Sequence, residues 1–159
     1  MTDPMEERAT TPARLRSLPT RLLSLVTMHS DRIVTEGLAG ADARKWHYAV
    51  LATLEEAGPA SQAELSRRTG VYRSDLVSVI NELSARGLVE RAPDPADRRR
   101  NVITLTEAGR DRLRRLDALL GSLADEVLAP LDAAERDQLT ALLTRLLDHH
   151  GGHPAPGGG

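Results

Sequence analysis

Cysteine is absent from this 159-residue chain. That excludes disulfides, thiolate metal sites and thiol-based redox sensing. Long apolar runs are missing as well, and no stretch approaches the roughly 20 residues needed to cross a bilayer. The opening residues, M-T-D-P-M-E-E-R, are acidic and lack the apolar core of a secretory signal. There is no P-loop, no G-x-G-x-x-G and no nucleophile–base motif, so no enzyme, cofactor or membrane partner is implied. A cytoplasmic protein is the default expectation. Aromatic residues are scarce, one Trp, two Tyr and no Phe, and Trp46, His47 and Tyr48 form their main cluster.

What is present fits one globular domain, or one small domain with an oligomerisation arm: 40% of the residues are hydrophobic. The net charge of −2 argues against an indiscriminate polycation. Its distribution is more telling. Residues 61–100 hold eight arginines against six acids, while the remainder is acidic. A modestly positive module therefore sits on an acidic body.

Leu15, Leu18, Leu22, Leu25, His29 and Ile33 recur at three- and four-residue steps, which predicts a helix. Pro19 places its regular start near Leu18 or Pro19, and Gly37 to Gly40 ends it. A second helix is expected from about Ala43 to Ala57. Ser61 and Glu64 have the spacing of a capping box, opening a short helix that ends at Gly70. After a tight turn, a helix from about Arg73 to Arg86 buries Leu76, Val79, Ile80 and Leu83, with Gly87 beyond it. Strands are expected at 88–92 and 101–105. Thr106 then caps a long helix with a seam at Leu113, Leu116, Leu120, Leu123 and Val127, broken by Pro130. Asp132 and Glu135 open a last helix carrying Leu139, Leu142, Leu143, Leu146 and Leu147.

Asp94 to Thr106 reads D-P-A-D-R-R-R-N-V-I-T-L-T, the most informative stretch of all. A turn-forming Pro and two Asp carry three arginines, and an alternating segment leads back out. This is the pattern of a basic hairpin tip able to enter a nucleic-acid groove. In front of it, the polar face of the 73–86 helix offers Arg73, Ser74, Asp75, Val77, Ser78 and Asn81 to a major groove. Arg73 suits a phosphate or guanine, Asp75 a cytosine amino group, and Val77 a thymine methyl. Ser61, Gln62 and Arg67 can meet phosphates from the preceding helix, although Ser61 reads first as a cap.

Short capped helix, turn, polar-faced helix and basic hairpin together make a winged helix-turn-helix over 43–105. The fold class is therefore mainly α, with long N- and C-terminal dimerisation helices at 15–40 and 106–147 flanking that module in a single domain, 15–147. Those helices hold more leucine than so small a module can bury, so Leu15, Leu18, Leu22, Leu123, Val127, Leu139, Leu142, Leu143 and Leu146 are expected to meet a second copy. Residues 1–14 are expected to be a flexible arm, and 148–159 a disordered Gly/Pro/His tail.

The chain resembles the MarR (multiple antibiotic resistance regulator) family of bacterial transcriptional regulators. The likeness lies in Ser61-Gln-Ala-Glu-Leu65, Gly70-Val71, Arg73-Ser74, Leu83, Arg86-Gly87-Leu88-Val89, Asp94-Pro-Ala-Asp-Arg-Arg99 and Leu105-Thr106-Glu-Ala-Gly109. It implies a homodimer that binds a pseudo-palindromic operator on double-stranded DNA, with recognition helix 73–86 in the major groove and wing 93–100 in the minor groove. It commonly implies repression, here of a nearby or divergent operon, relieved by a small anionic or phenolic effector. Arg99 is then the residue expected to insert, oriented by Asp97 and flanked by Arg98 and Arg100. Ser78 stands where relatives often carry Arg, and Asp75 where Thr or Ser is common, so base preference is not transferable.

The resemblance also places an effector pocket near Arg21, His29, Trp46, His47 and Tyr48. His29 reads first as a satisfied core histidine. His149, His150 and His153 lack carboxylate partners, and no metal site is expected of them. The rival readings are a ligand-independent architectural DNA-binding protein, a winged helix serving protein interaction without DNA, and a metal-responsive regulator using histidines.

Overall fold

The computed structural model describes residues 3–152. Most of the Gly/Pro/His tail, His153 included, lies outside them. The segment expected to be a flexible arm is helical: α1 spans Pro4–Thr10 and α2 spans Ala13–Arg16, and neither buries a residue. Asp3 accepts from the Met5 N–H, Pro4 sits in the first turn where its missing N–H costs nothing, and Glu6 and Glu7 face the positive helix end.

Helix α3 runs over Pro19–Gly40 and α4 over Lys45–Ala57. A two-residue strand β1, Ala60–Ser61, leads into α5, Gln62–Thr69, and α6 follows over Arg73–Ala85. Strands β2, Val89–Pro93, and β3, Asn101–Leu105, form the hairpin. Helix α7 covers Glu107–Val127 and α8 Ala133–His149. Leu51, Leu65, Leu76, Ile80, Leu83, Ile103 and Leu116 are fully buried and draw α4, α5, α6, β3 and α7 around one core. Each such side chain contributes about 1.5–3 kcal/mol by leaving water.

The sheet has the order β1-β3-β2 and is antiparallel, with Ala60 opposite Ile103 and Arg91 also opposite Ile103 on the other side. Strand β1 was not expected, because two residues are too few to show alternation. It also changes the capping box. Ser61 Oγ accepts from the Glu64 N–H at 3.2 Å, while the Ser61 backbone belongs to the sheet and Glu64 makes no return bond.

The hairpin is fastened to α7 by the Leu105-Thr106-Glu-Ala-Gly109 segment. Thr106 Oγ1 accepts from the Gly109 N–H at 3.0 Å and donates to the Gly87 carbonyl at 2.7 Å. A Cβ at Gly109 would lie 2.2 Å from the Leu88 carbonyl oxygen. Only glycine lets the helix start this close to the strand.

Leu123 departs from the expected dimer interface. It is buried within the single chain, and its methyls fill the space a Cβ at Gly37 would need. The missing side chain at Gly37 admits it, so α3 and α7 meet there. Val127 and Leu139 are half-buried. The other leucines of the group remain exposed in the protomer, and α8 buries no residue at all. Its capping box is complete: Glu135 N donates to Asp132 Oδ1 at 2.8 Å and Asp132 N to Glu135 Oε1 at 3.0 Å. Among the described residues, no helix is long and apolar enough to cross a membrane.

Candidate nucleic-acid interface

The turn between α5 and α6 is held by two buried hydroxyls. Ser66 Oγ donates to the Val71 carbonyl and Thr69 Oγ1 to the Leu65 carbonyl, each at 2.6 Å. Gly70 takes the left-handed conformation, φ 73°, that reverses the chain. Sequence reasoning missed Ser66 and Thr69, although Ser and Thr flanking a helix-ending Gly are the usual signal for such local bonds. The turn fixes the direction in which α6 leaves.

Leu76, Val79, Ile80 and Leu83 point α6 into the core, so Ser74, Asp75, Val77, Ser78 and Asn81 are turned to solvent together with Arg73. At the wing, Arg99 is 91% exposed, and its Nε and backbone N–H both donate to Asp97 Oδ1, at 3.2 and 3.1 Å. Those bonds hold the Asp97 carboxyl below its ordinary pKa. The tip is closed by Asp94 N donating to the Arg100 carbonyl at 2.7 Å and Arg100 N to the Asp97 carbonyl at 3.0 Å. Arg98 is exposed beside them, and Arg67 is exposed on α5.

Between α5, α6 and the wing lies a cleft of about 330 Å³, lined by Ser61, Gln62, Arg73, Val77, Arg99 and Arg100 among others. Three arginines thus line one open groove beside the N-terminus of α5. Asn81 is engaged rather than free: its side-chain oxygen accepts from Arg91 on β2. Arg91 escaped the sequence reading because nothing in a strand pattern announces a bond to a helix.

The residues expected around an effector pocket do not come together. Consecutive positions on α4 point in three directions. Trp46 is 43% exposed; His47 is buried; Tyr48 turns to α7, donating to Asp117 Oδ1 at 2.5 Å. That hydrogen bond is the main reason the Tyr48 phenol is pushed up to about 12.

His47 is committed to structure. Its Nδ1 accepts from the Arg44 N–H at 3.2 Å, so Nε2 carries the proton and donates to Glu82 Oε2 at 2.6 Å. Arg44 also reaches both Glu82 oxygens, at 2.6 and 2.7 Å. Burial lowers the His47 pKa, while the bond to His47, followed by that to Arg44, lowers Glu82. Just past the end of α6, Arg86 donates to the Asp42 carbonyl at 2.6 Å, and Arg112 of α7 grips the neighbouring Ala41 carbonyl. The α3–α4 turn is thereby tied to both the polar-faced helix and α7.

His29 is exposed on α3 rather than a core residue. With Arg21 it lines a separate cleft of about 420 Å³ among α1, α2 and α3, which Arg8, Arg16, Leu22 and Leu25 also line. Among the described residues no group of three or more His, Asp or Glu is placed to hold a metal ion. His149 and His150 stack edge to face at the end of α8.

Residues 37–100, which span the α3–α4 turn, the helix-turn-helix and the wing, match the model of the MarR family. The chain is 34% identical over 101 residues to the HTH-type transcriptional repressor NicR of Pseudomonas putida, a match covering 64% of each protein. It therefore spans just under two thirds of that relative's length. Among solved structures, BpsR of Bordetella bronchiseptica, whose DNA binding is regulated by 6-hydroxynicotinic acid, superposes with a TM-score of 0.73 at 25% identity, covering 87% of this chain and 99% of BpsR. A mutant of Escherichia coli MarR complexed with operator DNA gives a TM-score of 0.69 at 28% identity, covering 86% and 99%. In sequence and in fold alike, the chain belongs to the MarR family.

Proposed function

We propose that this protein is a homodimeric transcriptional regulator, a repressor of a nearby or divergent operon, that binds a pseudo-palindromic operator and releases it when a small anionic or phenolic compound binds. The observation that carries this reading is that Arg73, Arg99 and Arg100 line one cleft beside the solvent-facing residues of α6. A duplex laid there would have its major groove on α6 and its adjacent minor groove at the wing. The match to repressor NicR and the likeness to a MarR–operator complex support the same direction.

Dimerisation is supported by apolar surface without cover. Leu15, Leu18 and Leu22 are 37–45% exposed, and Leu142, Leu143 and Leu146 are 43–47% exposed. Covering each contributes at most about 1.5–3 kcal/mol, which a second copy can supply. Two copies would hold their α6 helices about one DNA turn apart, roughly 34 Å, as paired half-sites require.

The effector reading rests on the cleft lined by Arg8, Arg16, Arg21 and His29 together with Leu22 and Leu25, where three arginines and one carboxylate, Glu7, adjoin apolar side chains. A ligand seated against α3 weakens DNA binding only through its preference for a different spacing of the two modules. BpsR, regulated by a hydroxylated aromatic acid, is the similar protein that supports this chemistry.

The test is fluorescence anisotropy with a labelled duplex taken from upstream of the protein's own gene, against a scrambled duplex of equal length. A regulator prefers its operator by about 10³-fold or more. Equal affinity for both duplexes would make it an architectural protein, and no binding to either would contradict the reading.

A further inference from the structure

Helix α3 passes into the helix-turn-helix module through one short turn, from Gly40 to Lys45. Within it Asp42 takes a left-handed backbone, φ 56°, the one non-glycine residue with positive φ among those described. Two arginines from distant parts of the chain bind the carbonyls of this turn. Arg86, at the C-terminal cap of α6, donates to the Asp42 carbonyl at 2.6 Å, and its guanidinium lies 3.4 Å from the Asp42 carboxylate. Arg112, half-buried on α7, donates to the Ala41 carbonyl and reaches the Asp42 carbonyl at 3.5 Å. Carbonyls at a helix C-terminus carry partial negative charge, so cations are the partners that suit them.

The module has two connections to the long helices. One is this turn. The other is α7, which runs unbroken from Glu107 at the wing to Val127 and meets α3 where Leu123 fills the space beside Gly37. Arg112 joins the two connections to each other, and Arg86 joins the turn to α6. Helix α6 is also bound to α4, because Glu82 accepts from both Arg44 and His47. Helices α4 and α6 thus form one block, and the turn is the joint about which that block would swing against α3.

We infer that Arg86 and Arg112 are positioning residues for operator recognition: by clasping the Ala41-Asp42 turn they set the angle at which α6 leaves the long helices, and so the spacing of the two α6 helices in a dimer. The inference rests on the homodimeric DNA-binding reading above, and neither arginine has to touch DNA. Helix α6 has 13 residues and is roughly 20 Å long. A tilt of about 10° at the joint moves its far end by about 3.5 Å, close to the rise of one base pair. A loose joint therefore blurs the register between half-sites, and the clasp keeps it.

The experiment first selects an operator from a randomised duplex pool with the full-length wild type. Affinity is then measured for that operator, for the same duplex with one base pair inserted between its half-sites, and for a duplex keeping a single half-site. Wild type, Arg86→Met, Arg112→Met and Arg112→Lys are compared. The insertion should weaken the wild type by roughly tenfold, as one mismatched base pair does. Both Met variants should bind the intact operator more weakly, lose less than about threefold on insertion, and match the wild type on the single half-site. Loss of folded protein would lower all three affinities together, so this split separates positioning from a structural defect. Arg112→Lys retains a donor to the carbonyl and should restore the spacing penalty. Should the half-buried Arg112 tolerate no Met, the exposed Arg86→Met carries the test alone. A full spacing penalty in the Met variants, or equal losses on operator and half-site, would overturn the inference. A wild type indifferent to the insertion would instead overturn the paired half-site reading, and the inference with it.

Discussion

His47 of α4 donates from Nε2 to Glu82 Oε2 of α6 at 2.6 Å, and this short bond joins α4 to the helix whose outward face is proposed to meet DNA. The His47 Nδ1 is already taken by the Arg44 N–H. Only the neutral ring can serve both partners, since a protonated ring has no acceptor left. Burial lowers the His47 pKa below 6.5, so the unfolded chain binds a proton more readily than the folded one. The stabilisation is complete above about pH 6.5 and is lost as pH falls through the lowered folded value. Glu82, also lowered, acts in the same direction at still lower pH. Urea denaturation should show stability falling between pH 7.5 and 5.5, with a shallower fall in His47→Gln. Equal slopes in the two proteins would contradict the assignment.

The contact between Gly109 and Leu88 gives a sharper stability test. Gly109→Ala would place a Cβ 2.2 Å from a backbone oxygen, which cannot swing aside as the end of a flexible side chain would. It should destabilise the chain by about 1–3 kcal/mol or more. Gly121→Ala, on the same helix with nothing within 4 Å of the added carbon, should be neutral or gain about 0.5–1 kcal/mol. Chemical denaturation of the two variants reads both, and similar effects would show that the close approach is not what matters.

Leucines on the long helices should separate into two classes. Leu123→Ala removes a buried side chain and should cost about 2–5 kcal/mol of folding stability. Leu142→Glu with Leu146→Glu, both on the uncovered face of α8, should leave the protomer folded and convert a dimer to a monomer in sedimentation equilibrium. A pair of glutamates without effect on association would move the interface elsewhere.

Arg99→Ala should weaken DNA binding to all sequences and lower the slope of log K against log salt by about 1, if the guanidinium displaces one counterion. Asp97→Asn, which weakens the bond that orients Arg99, should act in the same direction with a smaller loss of affinity. Titrations at several salt concentrations measure this, and an unchanged slope in Arg99→Ala would remove Arg99 from the interface.

Much of this molecule was legible in its sequence because local rules suffice there. Gly70, Gly87, Thr106 and Asp132 mark helix ends through backbone chemistry confined to a few residues, and the buried face of α6 follows from period alone. The failures have a common cause: they depend on which distant residue faces which. Leu123 shares a seam with Val127 and was expected with it at an interface between copies, yet it is buried within the chain because Gly37 lies opposite it. Trp46, His47 and Tyr48 are neighbours in sequence, yet a helix turns each by about 100° from the last, so adjacency there implies separation. Asn81 reads as a free polar residue until Arg91 arrives from the sheet. The helical arm at Pro4–Thr10 carries its own cap at Asp3, a signal that was present in the sequence.

Hydroxyl-radical footprinting of the protein on its upstream DNA tests the central claim most directly. Two copies presenting α6 and the wing should protect two segments centred about 10 base pairs apart, or a multiple of that, with protection extending into the flanking minor grooves. A single protected segment, or uniform protection along the duplex, would contradict it.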